Sequence, residues 1–172
     1  MGDFVSTRGK WLALTALALC AVVAAVWTWT RLAERAPDLE LVTISGERIT
    51  LRDLGGSPVL VNFWASNCRS CIEELPALAD LYRKFTPAGL KVIGIAMSYD
   101  MPSEVKSVVD RLGIPFPVAL DLKGEHARAF AGVEWVPYSV LIAGDGTIVL
   151  RRLGPLDLQE LTARIQALLT EV

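Results

Sequence analysis

The stretch from Val59 to Pro76 constrains this chain more than any other. It opens with Val59-Leu60-Val61-Asn62-Phe63-Trp64, a short apolar run with β-branched and aromatic members, as expected of a strand buried on both faces. After Ala65-Ser66-Asn67, apolar residues recur at Leu75, Leu78, Ala79, Tyr82 and Phe85, the spacing of an amphipathic helix beginning near Cys68. Cys68 and Cys71 therefore fall in the first turn of a helix fed by a central strand. Three residues apart, they share a helical face and can form a disulfide. A helix N-terminus stabilises a thiolate through its unpaired N–H groups and partial positive charge, and Arg69 adds a cation. This is the construction of a redox site. The plainer readings of the pair are a structural disulfide or half of a metal site.

The strand, the Phe63-Trp64-Ala65-Ser66 segment, the Cys-x-x-Cys pair and Pro76, five residues after Cys71, resemble a thioredoxin-fold protein. The nearest resemblance is to TlpA/ResA-like membrane-anchored thiol–disulfide oxidoreductases, and it covers most of residues 37–172. It implies a thioredoxin-like α/β fold with a mixed central sheet flanked by helices. It also implies catalysis by Cys68 and Cys71 without a cofactor or metal, and exchange of electrons with protein thiols. Cys68, nearer the helix tip, is the expected nucleophile, and Cys71 the expected resolving thiol.

The resemblance further implies a carboxylate at Glu74 that tunes the cysteines and passes protons; the bland alternative is a solvated glutamate near the helix start. It places a cis-proline at Val136-Pro137, with Val136, Pro137 and Trp135 contacting substrate. Pro76 takes the role of a helix-bending residue. Two departures stand out. Asn62 replaces the buried aspartate of thioredoxins proper, which removes their usual general base, and Asn67 replaces the tryptophan before their first cysteine. Asparagine at position 62 suits the TlpA-like group. Trp64 reads as core, and His126, the only histidine, as a surface residue.

At the amino terminus, Trp11 to Thr30 is an uncharged run of about 30 Å as a helix, the thickness of a bilayer core. Arg8 and Lys10 precede it and favour a cytoplasmic amino terminus, although the charges after it, Arg31, Glu34 and Arg35, weaken the asymmetry. No small-x-small cleavage site closes the run, and Leu17-Ala18-Leu19-Cys20 is a poor lipoprotein signal because of Leu19. The expectation is an uncleaved anchor and tether at residues 1–36, with a thioredoxin-like domain at 37–172. That places the domain on the periplasmic side of a bacterial inner membrane, with a membrane protein as electron donor.

Residues 37–172 carry 13 Lys and Arg against 17 Asp and Glu, a formal charge of −4, and no glycine-rich phosphate loop. Nucleic acids and nucleotides are poor candidates for partners. Only Cys68 and Cys71 lie outside the apolar run, so no disulfide framework exists and the pair is there to react.

Elsewhere the patterning predicts a hairpin of Leu39–Thr43 with Arg48–Leu51, a strand at Lys91–Ala96, and a helix starting at Asp100 and Pro102. A segment from Ile114 to Ala131 follows, holding a turn and a short helix. The antiparallel strands Tyr138–Ala143 and Thr147–Leu153 come next. Asp157 then caps a last helix with Leu158, Leu161, Ile165 and Leu168 inward and Glu160 completing a capping box.

The leading function is reduction of protein disulfides, with apocytochrome or copper-site cysteines as candidate substrates; direction does not follow from the residues. The alternative is a copper-binding chaperone on the same fold. Such chaperones space their cysteines by three residues and add a distal histidine, whereas two residues intervene here. A peroxiredoxin would need proline and threonine or serine where this chain has Val61 and Ala65.

Overall fold

The computed structural model describes residues 14–24 and 34–170, which fall into two units, Met1–Glu34 and Arg35–Val172. In the first, residues 14–24 are helical and Cys20 is free and exposed. The ends of the Trp11–Thr30 run lie outside the described residues. Among the described residues no helix is long and apolar enough to cross a membrane.

The second unit is built on a five-stranded mixed sheet. In chain order its elements are β1 (Glu40–Val42), β2 (Arg48–Thr50), β3 (Val59–Trp64), α1 (Arg69–Phe85), β4 (Lys91–Ala96), α2 (Pro102–Leu112), β5 (Val118–Leu120), α3 (Glu125–Ala129), β6 (Tyr138–Ile142), β7 (Ile148–Leu153) and α4 (Leu158–Thr170). The sheet order is β5-β4-β3-β6-β7, with β1 and β2 paired separately as an antiparallel hairpin. β3, β4 and β5 run parallel, while β6 and β7 are antiparallel to their neighbours.

Strand alternation divides the interior. Leu60 and Trp64 of β3 and Val92 and Ala96 of β4 face α1, α2 and α4, packing on Leu75, Leu78, Val105, Leu161 and Ile165. Val61, Phe63, Ile93 and Ile95 face the other way, onto Leu41 of the hairpin and onto Ala127 and Phe130 in and after α3. Every residue of β3 is buried, as a strand covered on both faces requires.

Several elements differ from the patterning. β5 lies within the segment read as turn and short helix; three residues behind two prolines are too short to show a period, and pairing with β4 creates the strand. α2 starts at Pro102, as marked in the sequence, with Met101 as its N-cap and the Asp100 side chain bonded to Ser66. Leu158 is 40 % exposed rather than inward. Asp157 does accept from the N–H groups of Gln159 and Glu160, but the Glu160 carboxylate bonds Arg164 instead of closing a capping box. The folded unit also takes in the end of the supposed tether, since Arg35 bridges to Thr147 and the Ala36 N–H bonds Gly146 O at 2.9 Å.

Candidate active site

β3 ends at Trp64, and the chain reverses in a turn closed by the Cys68 N–H on Ala65 O at 3.1 Å. Cys68 is the N-cap of α1: its carbonyl accepts from Ile72 N–H, and its sulfur accepts from Cys71 N–H at 3.2 Å. A sulfur in the capping position receives one of the donors that every helix start leaves unpaired. Cys68 and Cys71 form a disulfide, with Cα atoms 5.2 Å apart. Cys71 is buried among α1 and β3 side chains, whereas Cys68 is half-buried. The two sulfurs are thus unequal in access, and only the first can be approached from outside.

Arg69 contributes less than its charge implies. It is wholly exposed and pairs with Glu73 at 2.8 Å, so its cation is offset one turn down the helix. The first turn of α1 otherwise holds no acidic residue.

The Val136–Pro137 peptide bond is cis, and Val136 O lies 3.7 Å from the Cys68 sulfur. Tyr138, the first residue of β6, pairs with Phe63 near the end of β3, which brings the preceding loop beside the cysteines. Trp135 projects from this loop and is 70 % exposed. Cys68, Cys71, Val136 and Pro137 are therefore one cluster, with Trp135 at its edge.

Glu74 sits one turn along α1 from Cys71, partly enclosed. Its Oε2 accepts from Leu156 N–H at 3.2 Å, while Oε1 is buried and makes no hydrogen bond. Burial pushes its carboxyl above the usual glutamate range, and the Leu156 hydrogen bond only partly opposes this. It is not the solvated glutamate of the bland reading; Glu73 is.

The sequence model of the AhpC/TSA family matches residues 32–151. This chain belongs to that family. The thiol-disulfide oxidoreductase ResA of Bacillus thuringiensis is 34 % identical over 124 residues, covering 72 % of this chain and 70 % of the relative. The ResA of Bacillus cereus is 31 % identical over 136 residues, covering 79 % and 78 %. Among solved structures, a thiol:disulfide interchange protein of the thioredoxin family from Chlorobium tepidum superposes with a TM-score of 0.73 at 26 % identity, covering 80 % of this chain and 97 % of its own. The protein is a TlpA/ResA-like thiol–disulfide oxidoreductase with a thioredoxin-like fold.

Other residues of this AhpC/TSA member take their roles from the fold. Asn62, on the α1 face of β3, donates from Nδ2 to Ser139 Oγ at 2.9 Å, and both residues are buried. The pair satisfies two polar groups between adjacent strands, so position 62 is structural here. Trp64 is fully buried, its indole N–H packed against Gly94. Val61 and Ala65 are fully buried apolar residues.

His126 is not a surface residue. Its Nδ1 lies 3.3 Å from the Asp121 carboxylate and its Nε2 3.2 Å from Glu40 O, tying α3 to the hairpin. α3 packs on the sheet face opposite α1, away from the buried Cys71. Among the described residues no group of three or more His, Cys, Asp and Glu is placed to hold a metal.

Asp100 was missed as a site residue. Its carboxylate accepts from both the N–H and the hydroxyl of Ser66, each at 2.5 Å, in the turn that leads to Cys68. No spacing could reveal this, because the partners are 34 residues apart and meet only when β4 pairs with β3.

Proposed function

We propose that this protein reduces disulfides in other proteins, held at a bacterial inner membrane by the Trp11–Thr30 segment with its catalytic domain on the periplasmic side. One observation carries the chemistry. An accessible sulfur caps a helix, a buried sulfur stands behind it, and the backbone of Trp135 and Val136 alongside makes no hydrogen bond to other backbone groups among the described residues. An extended substrate segment can pair with that backbone while its disulfide meets Cys68.

In the reduced enzyme, the Cys68 thiolate attacks one sulfur of the substrate disulfide. That S–S bond breaks, a mixed disulfide forms, and the departing substrate thiolate takes a proton. The Cys71 thiolate then attacks Cys68, releasing the second substrate thiolate. Two electrons pass to the substrate, leaving the Cys68–Cys71 disulfide seen here. A membrane protein presenting a dithiol returns the pair to the reduced state. Glu74, a carboxyl held above its usual range one turn from Cys71, serves as the proton store for the resolving thiol.

The reductive direction is supported by charge. With Arg69 offset by Glu73, the thiolate loses one source of stabilisation. A less stabilised thiolate makes the dithiol the stronger reductant. The deciding experiment is the Cys68–Cys71 potential with a trapping assay. A potential near thioredoxin's, about −270 mV, and Cys71→Ser accumulating a mixed disulfide with protein substrate are expected; a potential near DsbA's, about −120 mV, would reverse the direction. An alkaline-phosphatase fusion at the carboxy terminus tests the membrane side and is expected to be active.

A further inference from the structure

The segment that carries Val136 O to Cys68 is held at its two ends. Upstream, the Gly132 and Val133 N–H groups both bond Ala127 O, at 3.1 and 2.9 Å, and Val133 is buried. Downstream, Pro137 is buried and its carbonyl accepts from Gly154 N–H at 2.9 Å. Between them, among the described residues, Glu134, Trp135 and Val136 make no backbone–backbone hydrogen bond. Their course is set by how the ends are fixed.

Both ends meet at one side chain. Arg151 of β7 stands opposite Val140, so it shares the sheet face of Val140 and lies diagonal to Tyr138. Its Nη1 donates to Phe130 O at 3.2 Å and to the Tyr138 hydroxyl oxygen at 3.1 Å. Phe130 caps the end of α3 and Tyr138 is the first residue of β6, so one nitrogen spans the whole Ala131–Pro137 segment. From the inner side the same two residues pack on Phe63 of β3. Its ring meets Phe130 edge-on with centroids 5.4 Å apart, and Tyr138 at 6.4 Å. The clasp therefore stands on the strand that leads to Cys68. Ala131, the first residue inside it, has φ of 68°, a left-handed conformation that a residue with a Cβ adopts only when its surroundings impose it. A half-buried guanidinium beside Phe63, Phe130 and Val140 is a costly way to fill space, and its rigid fork of donors suits holding two acceptors at once.

We infer that Arg151 is a positioning residue: its guanidinium clasps the two ends of the Ala131–Pro137 segment and keeps Val136 O against Cys68 Sγ, where that carbonyl sets how readily Cys68 ionises. The inference rests on Cys68 being the attacking sulfur and is independent of the direction of electron flow. Val136 O lies 3.7 Å from that sulfur. In the reduced enzyme a carbonyl there accepts from the thiol and opposes the thiolate, since a hydrogen bond to the neutral form disfavours the charged one. Loosening the clasp should therefore let Cys68 ionise at lower pH. Loss of a cation by itself acts the other way, because it withdraws stabilisation from a thiolate. The sign of the shift separates positioning from charge.

The test measures the pH profile of Cys68 alkylation by iodoacetamide in the pre-reduced full chain, with a denaturant melt of each variant. Arg151→Met, which keeps the length and loses the donors, should move the midpoint down by about half a pH unit. Arg151→Lys, which keeps the cation and a donor, should recover part of that shift. Tyr138→Phe, which removes only the hydroxyl acceptor, should move the midpoint down by less and add nothing to Arg151→Met, because both changes open one clasp. The charged groups on neighbouring elements, Arg69, Glu73 and Glu74 of α1, Asp100 after β4 and Glu134 of the segment, are the same in every variant. An unmoved or raised midpoint in folded Arg151→Met would overturn the inference, and so would an additive shift in Tyr138→Phe. Should Arg151→Met fail to fold, Tyr138→Phe decides: a lowered midpoint supports the clasp and an unmoved one overturns it. Wild type in which Cys71 alkylates before Cys68 would instead defeat the reading of Cys68 as the attacking sulfur.

Discussion

The two ends of the central sheet are built on opposite terms. At the end away from the cysteines, the Gly144-Asp145-Gly146 turn has its polar groups bound by the protein itself. Gly56 N–H bonds Gly144 O at 2.8 Å, Arg35 reaches Asp145 O, and Asp145 accepts from both the N–H and the hydroxyl of Thr147. Those bonds, the Thr147 N–H first, hold the Asp145 carboxyl below its usual range. At the cysteine end, among the described residues, Glu74 Oε1 is buried without a partner, the backbone of Trp135 and Val136 is unpaired by other backbone, and large apolar side chains face outward. The difference teaches where stability and reactivity are placed: the far turn ties its polar groups into the fold, whereas, among the described residues, the loop beside Cys68 keeps backbone groups without backbone partners.

The sharpest way to break this contrast is at the sulfur. Cys68→Ser should bring protein-disulfide reduction to background, while Cys71→Ser retains one attack and stops at the mixed disulfide. Residual turnover in Cys68→Ser, followed by loss of substrate disulfide, would move the reactive centre elsewhere.

A change at the quiet end should show the reverse. A Cβ at Gly144 would stand 3.0 Å from the backbone carbon of Gly56, a contact that must displace the paired turn. Gly144→Ala should cost about 1–3 kcal/mol of stability in a denaturant melt and leave the Cys68 alkylation rate unchanged. A slowed alkylation rate at full stability would mean that the ends are coupled.

The smallest expected effect sharpens the reading of Glu74. Its folded-state carboxyl lies above the ordinary value, so folding favours the protonated form. Any stability tied to that form is present at low pH and is lost as pH rises through the folded value. Glu74→Gln, which keeps an acceptor for Leu156 N–H, should match wild type at pH 3 and melt at higher temperature than wild type at pH 8. The same variant should slow exchange near neutral pH. Melting curves that differ equally at both pH values would remove the charge from the explanation.

Much of the site was legible because its parts are neighbours in the chain. The apolar run of β3, the helical spacing of Leu75, Leu78, Ala79 and Phe85, and two cysteines at the helix start are local facts, and local hydrogen bonding forces them into one arrangement. The same holds for the hairpin turn at Gly144-Asp145-Gly146, whose own closing bonds span two to four residues. Tertiary structure decided what depends on pairing between distant strands. Three-residue β5 exists because β4 offers it an edge, and His126 is enclosed because Asp121 and the hairpin meet over it. The helix starts at Pro102 as the sequence marks it, but only the fold brings the Asp100 carboxylate onto the two donors of Ser66 across the sheet end. The chain by itself specified the redox pair and its strand-to-helix setting; the fold chose the groups that surround the pair, since hydrogen bonding and burial act between atoms close in space, whatever their separation along the chain.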